Sequence, residues 1–149
     1  MVPLNLPKAS LRISSKGNNR YVFDIVRKKN VVLTPEEWVR QHFLWYLIDH
    51  LHYPRTLIKI ESGHAINTLA KRTDILVYNR EFLPTLLVEC KATTIPLKQA
   101  VFEQVLLYNR TIQSEFVVVT NGLQHQCFRF KKEAGHYSSE IEIPSFIEG

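Results

Sequence analysis

Arg72-Thr73-Asp74-Ile75-Leu76-Val77-Tyr78-Asn79-Arg80-Glu81-Phe82-Leu83-Pro84-Thr85-Leu86-Leu87-Val88-Glu89-Cys90-Lys91 holds two short apolar runs around a polar turn. Each run carries charge where a buried strand should have none. Asp74 heads Ile75-Leu76-Val77-Tyr78, and Glu89 and Lys91 end Leu86-Leu87-Val88-Glu89-Cys90-Lys91. Side chains alternate along a strand, so Glu89 and Lys91 are expected on one face, with Val88 and Cys90 on the other. Unpaired buried charge is costly, so such residues pair or bind metal. An acid on one strand and an acid and a lysine on its neighbour can hold a divalent cation beside an ammonium.

Outward from this stretch the chain reads as alternating strands and helices. Thr34-Pro35-Glu36-Glu37 opens a helix expected to run to about Leu51. Thr34 is its N-cap and Pro35 its first residue, with Glu37 closing a capping box. Val39, Phe43, Tyr46, Leu47 and Leu51 form its apolar stripe. On this phasing Glu37 is explained by capping, and Glu36 is the acid aimed toward the core face. Thr56 to Ile66 reads as a long strand, 72–79 and 84–92 as two more, and 97–113 as a second helix. Leu97, Val101, Gln104 and Tyr108 share one face of that helix. Strands are expected at 116–120 and 124–130, with Asn121-Gly122 as the hairpin turn between them. Before the first helix, 21–26 and 31–33 make a hairpin, with Leu11 and Ile13 in a short edge strand.

The expected fold is α/β: a restriction-endonuclease-like core, a central mixed β-sheet flanked by helices, with an N-terminal hairpin extension. The strand–helix–strand crossover from 84 to 120 should be parallel. Residues 1–20 read as an extension, 21–133 as the domain and 134–149 as a polar tail.

Composition sets outer bounds. With 149 residues, 45% apolar and 22% charged, one domain with a real core is expected. Cys90 and Cys127 fall in expected strands and read as small core residues. No membrane span is visible, and Met1 to Lys8 lacks a signal-peptide plan, so the cytoplasm is the expected setting. The net charge of +5 permits phosphate binding without requiring it. Arg27-Lys28-Lys29, Lys71-Arg72 and Lys131-Lys132 read as solvated loop ends. The scattered histidines, His50 and His52 included, form no ligand set. Trp38 and Trp45 read as packing residues.

Glu36, Asp74, Glu89 and Lys91, with Gln104 and Tyr108, contain the groups phosphodiester hydrolysis needs. Carboxylates hold a hard cation that lowers the pKa of bound water. A cationic side chain steadies developing charge or orients the water. Gln104 and Tyr108, one helical turn apart, can hydrogen-bond substrate.

Asp74 followed by Glu89-Cys90-Lys91 is similar to the PD-(D/E)xK nuclease motif. Thr34-Pro35-Glu36-Glu37-Trp38-Val39-Arg40-Gln41, Lys71-Arg72-Thr73-Asp74, Leu87-Val88-Glu89-Cys90-Lys91-Ala92 and Thr120-Asn121-Gly122 together resemble the N-terminal nuclease domain of type I restriction enzyme R subunits, in a short stand-alone version. Gln104-Val105-Leu106-Leu107-Tyr108 resembles the Gln-xxx-Tyr element of related nucleases. The resemblance covers about Phe23 to Phe130, and departs from the motif where Thr73 replaces proline. It implies DNA cleavage dependent on Mg²⁺ or Mn²⁺. Metal binding falls on Asp74, Glu89 and Glu36, catalysis on these three with Lys91 and Gln104, and substrate contacts on Arg40, Arg72 and Tyr108. Glu37 is the fallback for the helix acid. The implied partners are DNA, restriction-modification subunits and a second copy in a homodimer. No Gly-xxxx-Gly-Lys-Ser/Thr loop occurs, so ATP-driven translocation is not expected of this sequence. The alternative is a DNA-binding or assembly module that does not cut.

Overall fold

The computed structural model describes residues 1–61 and 75–148. Its main sheet has the order β4(Ile58–Ile60), β5(Ile75–Tyr78), β6(Pro84–Cys90), β7(Phe116–Thr120), β8(His125–Lys131), β9(His136–Glu140). β6 and β7 are parallel, joined through α2(Gln99–Ile112); the other neighbours are antiparallel. A second, antiparallel sheet holds β1(Ile13–Lys16), β2(Asn19–Asp24) and β3(Lys29–Val32), ahead of α1(Pro35–Trp45). This is the α/β fold expected, with a mixed central sheet, a helix on each face and an N-terminal hairpin extension.

Alternation along the strands builds two cores. Ile58, Ile60, Ile75, Val77, Leu86, Val88, Cys90 and Val118 face α1 and the turn that follows it, where Val39, Phe43, Leu44 and then Leu47 are fully buried. Leu76, Leu87, Val117 and Val119 face α2, where Val105 is their buried partner. The Asn79–Leu83 turn joins β5 to β6, with the Asn79 side chain accepting from the backbone N–H groups of Glu81 and Leu83. α2 ends at Gln113, which takes a left-handed conformation at φ 61°. Buried Asn109 then ties helix to sheet. Its Nδ2 donates to Ser114 O and its Oδ1 accepts from Ser114 N, both at 3.0 Å.

Three expectations change. The first helix gives way after Trp45 to a π turn, Tyr46–His50. The long strand from Thr56 begins instead as a 3-10 turn, Arg55–Leu57, before β4, and its end at 62–66 lies outside the described residues. The polar tail supplies an edge strand, β9. Beyond it Ile143 and Phe146 pack on the α1-side core, while Ile141 and Ile147 stay exposed.

The N-terminal segment lies across the end of the sheet where β6 and β7 finish. Asn5 N donates to Gly122 O at 2.8 Å, Trp38 Nε1 donates to Val2 O at 2.8 Å, and Leu4 packs on Gly122. Gly122 is at φ 86°, where a side chain is strained, and a Cβ there would sit 2.7 Å from Leu4 Cδ2.

Candidate active site

Glu89 is the penultimate residue of β6, on the face of Leu87 and therefore under α2. It is 7% exposed. Lys91 Nζ lies 3.3 Å from Glu89 Oε1, and its side chain is 24% exposed. The pair is thus a shielded carboxylate with an ammonium at its open side, as the alternation of the sequence anticipates. Cys90 points with Val88 into the opposite core.

The backbone around the pair is fixed by the β7–β8 turn. Lys91 N donates to Thr120 O at 2.8 Å, extending the β6–β7 pairing by one residue. Asn121 Nδ2 donates to Ile95 O at 2.9 Å, clamping the loop that follows Lys91. Asn121 Oδ1 accepts from Leu123 N and Gln124 N, so one buried side chain shapes the turn and holds the loop. Thr120 Oγ1 meets His125 Nδ1 at 2.7 Å, and His125 Nε2 donates to Asn5 O at 2.8 Å. The turn reading of Asn121-Gly122 holds, and these residues also anchor the loop and the N-terminal segment.

Tyr108, on α2, lies within electrostatic reach of Glu89. Burial first, then the negative charges of Glu61 and Glu89, push its hydroxyl above the ordinary tyrosine value. Glu61 directly follows β4, and its Oε1 lies 3.4 Å from Lys59 Nζ. Sequence reasoning missed Glu61. The signal was the alternation Ile58-Lys59-Ile60-Glu61: with Ile58 and Ile60 in the α1-side core, the acid is out of phase with them. Gln104, one turn before Tyr108 on α2, is exposed.

The acids of α1 require a correction. Glu36, expected toward the core, has a side chain 47% exposed and pairs with Arg40 Nη2 at 2.8 Å. Glu37 is the buried acid, at 6% exposure. Thr34 Oγ1 accepts from Glu37 N at 3.0 Å, so the N-cap is as expected. The Glu37 carboxylate does not close the capping box; Thr34 N donates to Val32 O instead. That carboxylate receives Arg27 Nη2 at 2.6 Å, Gln41 Nε2 at 2.9 Å and Arg40 Nη1. Asp24, fully buried, accepts from Arg27 and Gln41. Burial pushes the Asp24 carboxyl up. The backbone N–H of Arg27, the Gln41 amide and the Arg27 side chain outweigh it and hold the carboxyl below the ordinary value. Arg27, read as a solvated loop end, is therefore part of a buried ionic network that locks β2 and its turn onto α1.

The structure thus pairs Glu89 with Lys91 on the α2 face, within electrostatic reach of Tyr108, and Glu36 with Arg40 on the helix that covers the other face. Asp74 and Arg72 lie outside the described residues. β5 begins at Ile75 opposite Val88, the residue before Glu89. Among the described residues no three metal-ligating side chains gather in one place. The donors present are carboxylate oxygens, the type that hard cations prefer. No helix among the described residues is long and apolar enough to cross a membrane.

No curated protein matches the chain. Among solved structures it is similar to a fragment assigned to an HsdR subunit of a type I restriction enzyme from Vibrio vulnificus YJ016. Identity is 25% and the TM-score 0.38, over 59% of this chain and 16% of that one. The chain spans a small part of that relative. A family model, the type I restriction enzyme R protein N terminus, matches residues 35–144, from the first residue of α1 to beyond β9. The chain belongs to that family.

Proposed function

We propose that this domain is a metal-dependent deoxyribonuclease of restriction-endonuclease type, hydrolysing DNA phosphodiester bonds. The observation that carries this reading is the Glu89–Lys91 pair: a 7% exposed carboxylate and a partly open ammonium 3.3 Å apart at the end of a central strand. Burial of that kind needs a purpose, since surface pairs of the same composition are common and contribute little.

In this reading Asp74 and Glu89 would hold Mg²⁺ or Mn²⁺, with waters filling the remaining positions; Glu36, turned to Arg40 on the helix over the other face, is left out of the set. The cation, when bound, polarises a phosphoryl oxygen and lowers the pKa of water. Lys91 presents a positive charge to the phosphate or orients the attacking water. Tyr108 and Gln104 donate to phosphate oxygens from α2, and Arg72 contacts the backbone; Arg40, expected to contact DNA, is buried and paired with Glu36 and Glu37, so it serves the fold instead. Burial, with the negative charges of Glu61 and Glu89, raises the Tyr108 hydroxyl further above neutrality, where it serves as a donor. The setting proposed is the cytoplasm, with restriction-modification subunits as partners and a homodimer as the self-association to look for.

The test is cleavage of matched DNA and RNA duplexes with Mg²⁺ or Mn²⁺. Wild-type protein should cut DNA, and Lys91→Ala and Asp74→Ala should lose about 10²-fold or more in rate, as expected for removing a group that stabilises transition-state charge. Cutting that survives both substitutions rejects the reading. Binding of DNA with no cutting favours a non-cleaving module, and preferential cutting of RNA changes the substrate.

A further inference from the structure

The net charge is not spread over the molecule. Residues 1–33 contain seven Lys and Arg and one Asp, a formal charge of +6, against +5 for the whole chain; the remaining residues therefore carry −1. The single acid in this stretch, Asp24, is buried and paired with Arg27. Six exposed cations remain: Lys8 ahead of the sheet, and five on or beside β1–β3, namely Arg12, Lys16, Arg20, Lys28 and Lys29. Among the described residues none of the five pairs with a carboxylate. This sheet also precedes the residues matched by the family, 35–144, so the family match does not account for it.

Two features distinguish the sheet from a loose basic tail. It is held in one orientation on the body. Val22 is fully buried, and the Asp24–Arg27–Glu37–Arg40 network fastens the inner ends of β2 and β3 to the first turns of α1. By the strand register Arg12 and Lys16 share the face of Tyr21 and Phe23, while Arg20 and Lys29 share that of Val22, so cations line both sides of this thin sheet along its length. Lys16 and Arg20 flank the Gly17-Asn18 turn at one end, Lys28 and Lys29 the β2–β3 turn at the other, and Arg12 lies over the Phe23 ring at 5.4 Å. Six strand residues span about 20 Å. Over that length duplex DNA presents a phosphate charge about every 1.7 Å.

We infer that the β1–β3 sheet is a docking surface for the phosphate backbone of duplex DNA, holding the duplex by charge rather than by sequence. An anionic lipid surface fits less well. A membrane-seated face needs a contiguous apolar stripe beside its cations, whereas the sheet's exposed large apolar residues, Ile13 and Val32, lie on opposite faces. The inference rests on reading the chain as one that acts on DNA, but it can be tested apart from cutting.

The experiment measures binding of a short mixed-sequence duplex by fluorescence anisotropy, in chelator so that no cleavage occurs, across a series of salt concentrations. Arg12→Gln, Lys16→Gln and Arg20→Gln combined should weaken binding about tenfold or more at low salt. They should also reduce the slope of log affinity against log salt by about two to three, since each phosphate contact contributes about 0.9. Lys28→Gln with Lys29→Gln should act in the same direction. Lys131→Gln with Lys132→Gln, exposed on the β8–β9 turn, is the control and should change the slope by less than about one. All these side chains are exposed, so the melting temperature should hold. The inference is overturned if the sheet variants bind like wild type, if the control loses as much, or if wild type does not bind DNA. It is also overturned if RNA duplex or phosphatidylserine vesicles are bound more tightly than DNA. Binding through this sheet by a protein that never cuts leaves the docking surface standing and defeats the nuclease reading alone.

Discussion

Replacing Glu37 by alanine separates the structural acid of α1 from its neighbour. Glu37 is 6% exposed and accepts from Arg27 at 2.6 Å, Gln41 at 2.9 Å and Arg40. Removing one partner of a buried ion pair costs about 3–5 kcal/mol when the other charge is left uncompensated. Here Arg27 keeps Asp24 at 2.8 Å and Arg40 keeps Glu36 at 2.8 Å, so compensation is partial. The expected loss is at or below the bottom of that range, about 2–3 kcal/mol. For a domain of this size, each kcal/mol moves Tm by about 2–4 °C, giving a fall of roughly 5–10 °C. Glu36→Ala removes a half-exposed carboxylate whose pair is worth less than about 1 kcal/mol, while Arg40 keeps Glu37, so its Tm should fall by about 4 °C at most. Both substitutions delete an acid from the first turn of the helix, so the helix-dipole contribution is common to the two and cancels in the comparison. Thermal unfolding followed by circular dichroism at neutral pH reads the difference. High salt should narrow the Glu36 effect and leave the Glu37 effect largely intact. Equal shifts, or a larger shift for Glu36→Ala, refute the assignment of Glu37 as the network's central carboxylate.

Three further outcomes follow from the geometry. Asp24 has a folded pKa below its unfolded value near 3.8, so its contribution is present above that value and is lost as pH falls through the lowered one. Asp24→Asn should therefore flatten the acid limb of stability, read as urea midpoints from neutral pH downward. Gly122→Ala places a methyl at φ 86° and 2.7 Å from Leu4 Cδ2. It should cost about 1–3 kcal/mol and speed amide exchange in residues 2–6. Burial, then the charge of Glu140, pushes the Cys127 thiol up to about 11, and Cys90 is fully buried. Ellman's reagent should label neither at an appreciable rate until the protein unfolds.

The strand-ended charges were readable because alternation is a local rule. Leu87, Glu89 and Lys91 must share a face whatever the fold; which helix covers that face was not readable, since Leu86, Leu87 and Val88 are all buried, in two cores. Thr34-Pro35 was readable for the same reason, since capping is decided within one turn. The choice between Glu36 and Glu37 was not. Adjacent helix residues differ by about 100°, and the side that is buried is set by Arg27, which arrives from the β2–β3 turn ten residues earlier. That long-range partner has no signature at position 37. β9 was missed because Ser138 and Ser139 give an edge strand no apolar period; its place comes from pairing with β8 and from Tyr137, whose hydroxyl receives Asn109 Nδ2 at 3.0 Å. The docked N-terminal segment was missed because Leu4 and Leu6 sit between prolines in a stretch that reads as loop.

Calorimetric titration with Mn²⁺ tests the central claim most directly, because it reports the carboxylate set without requiring turnover. Wild-type protein should bind the ion, Glu89→Gln and Asp74→Asn should each abolish the binding heat, and Lys91→Ala should retain it. No binding by wild type, or an isotherm unchanged by Glu89→Gln, would contradict the assignment of Glu89 as part of a metal-dependent cutting centre.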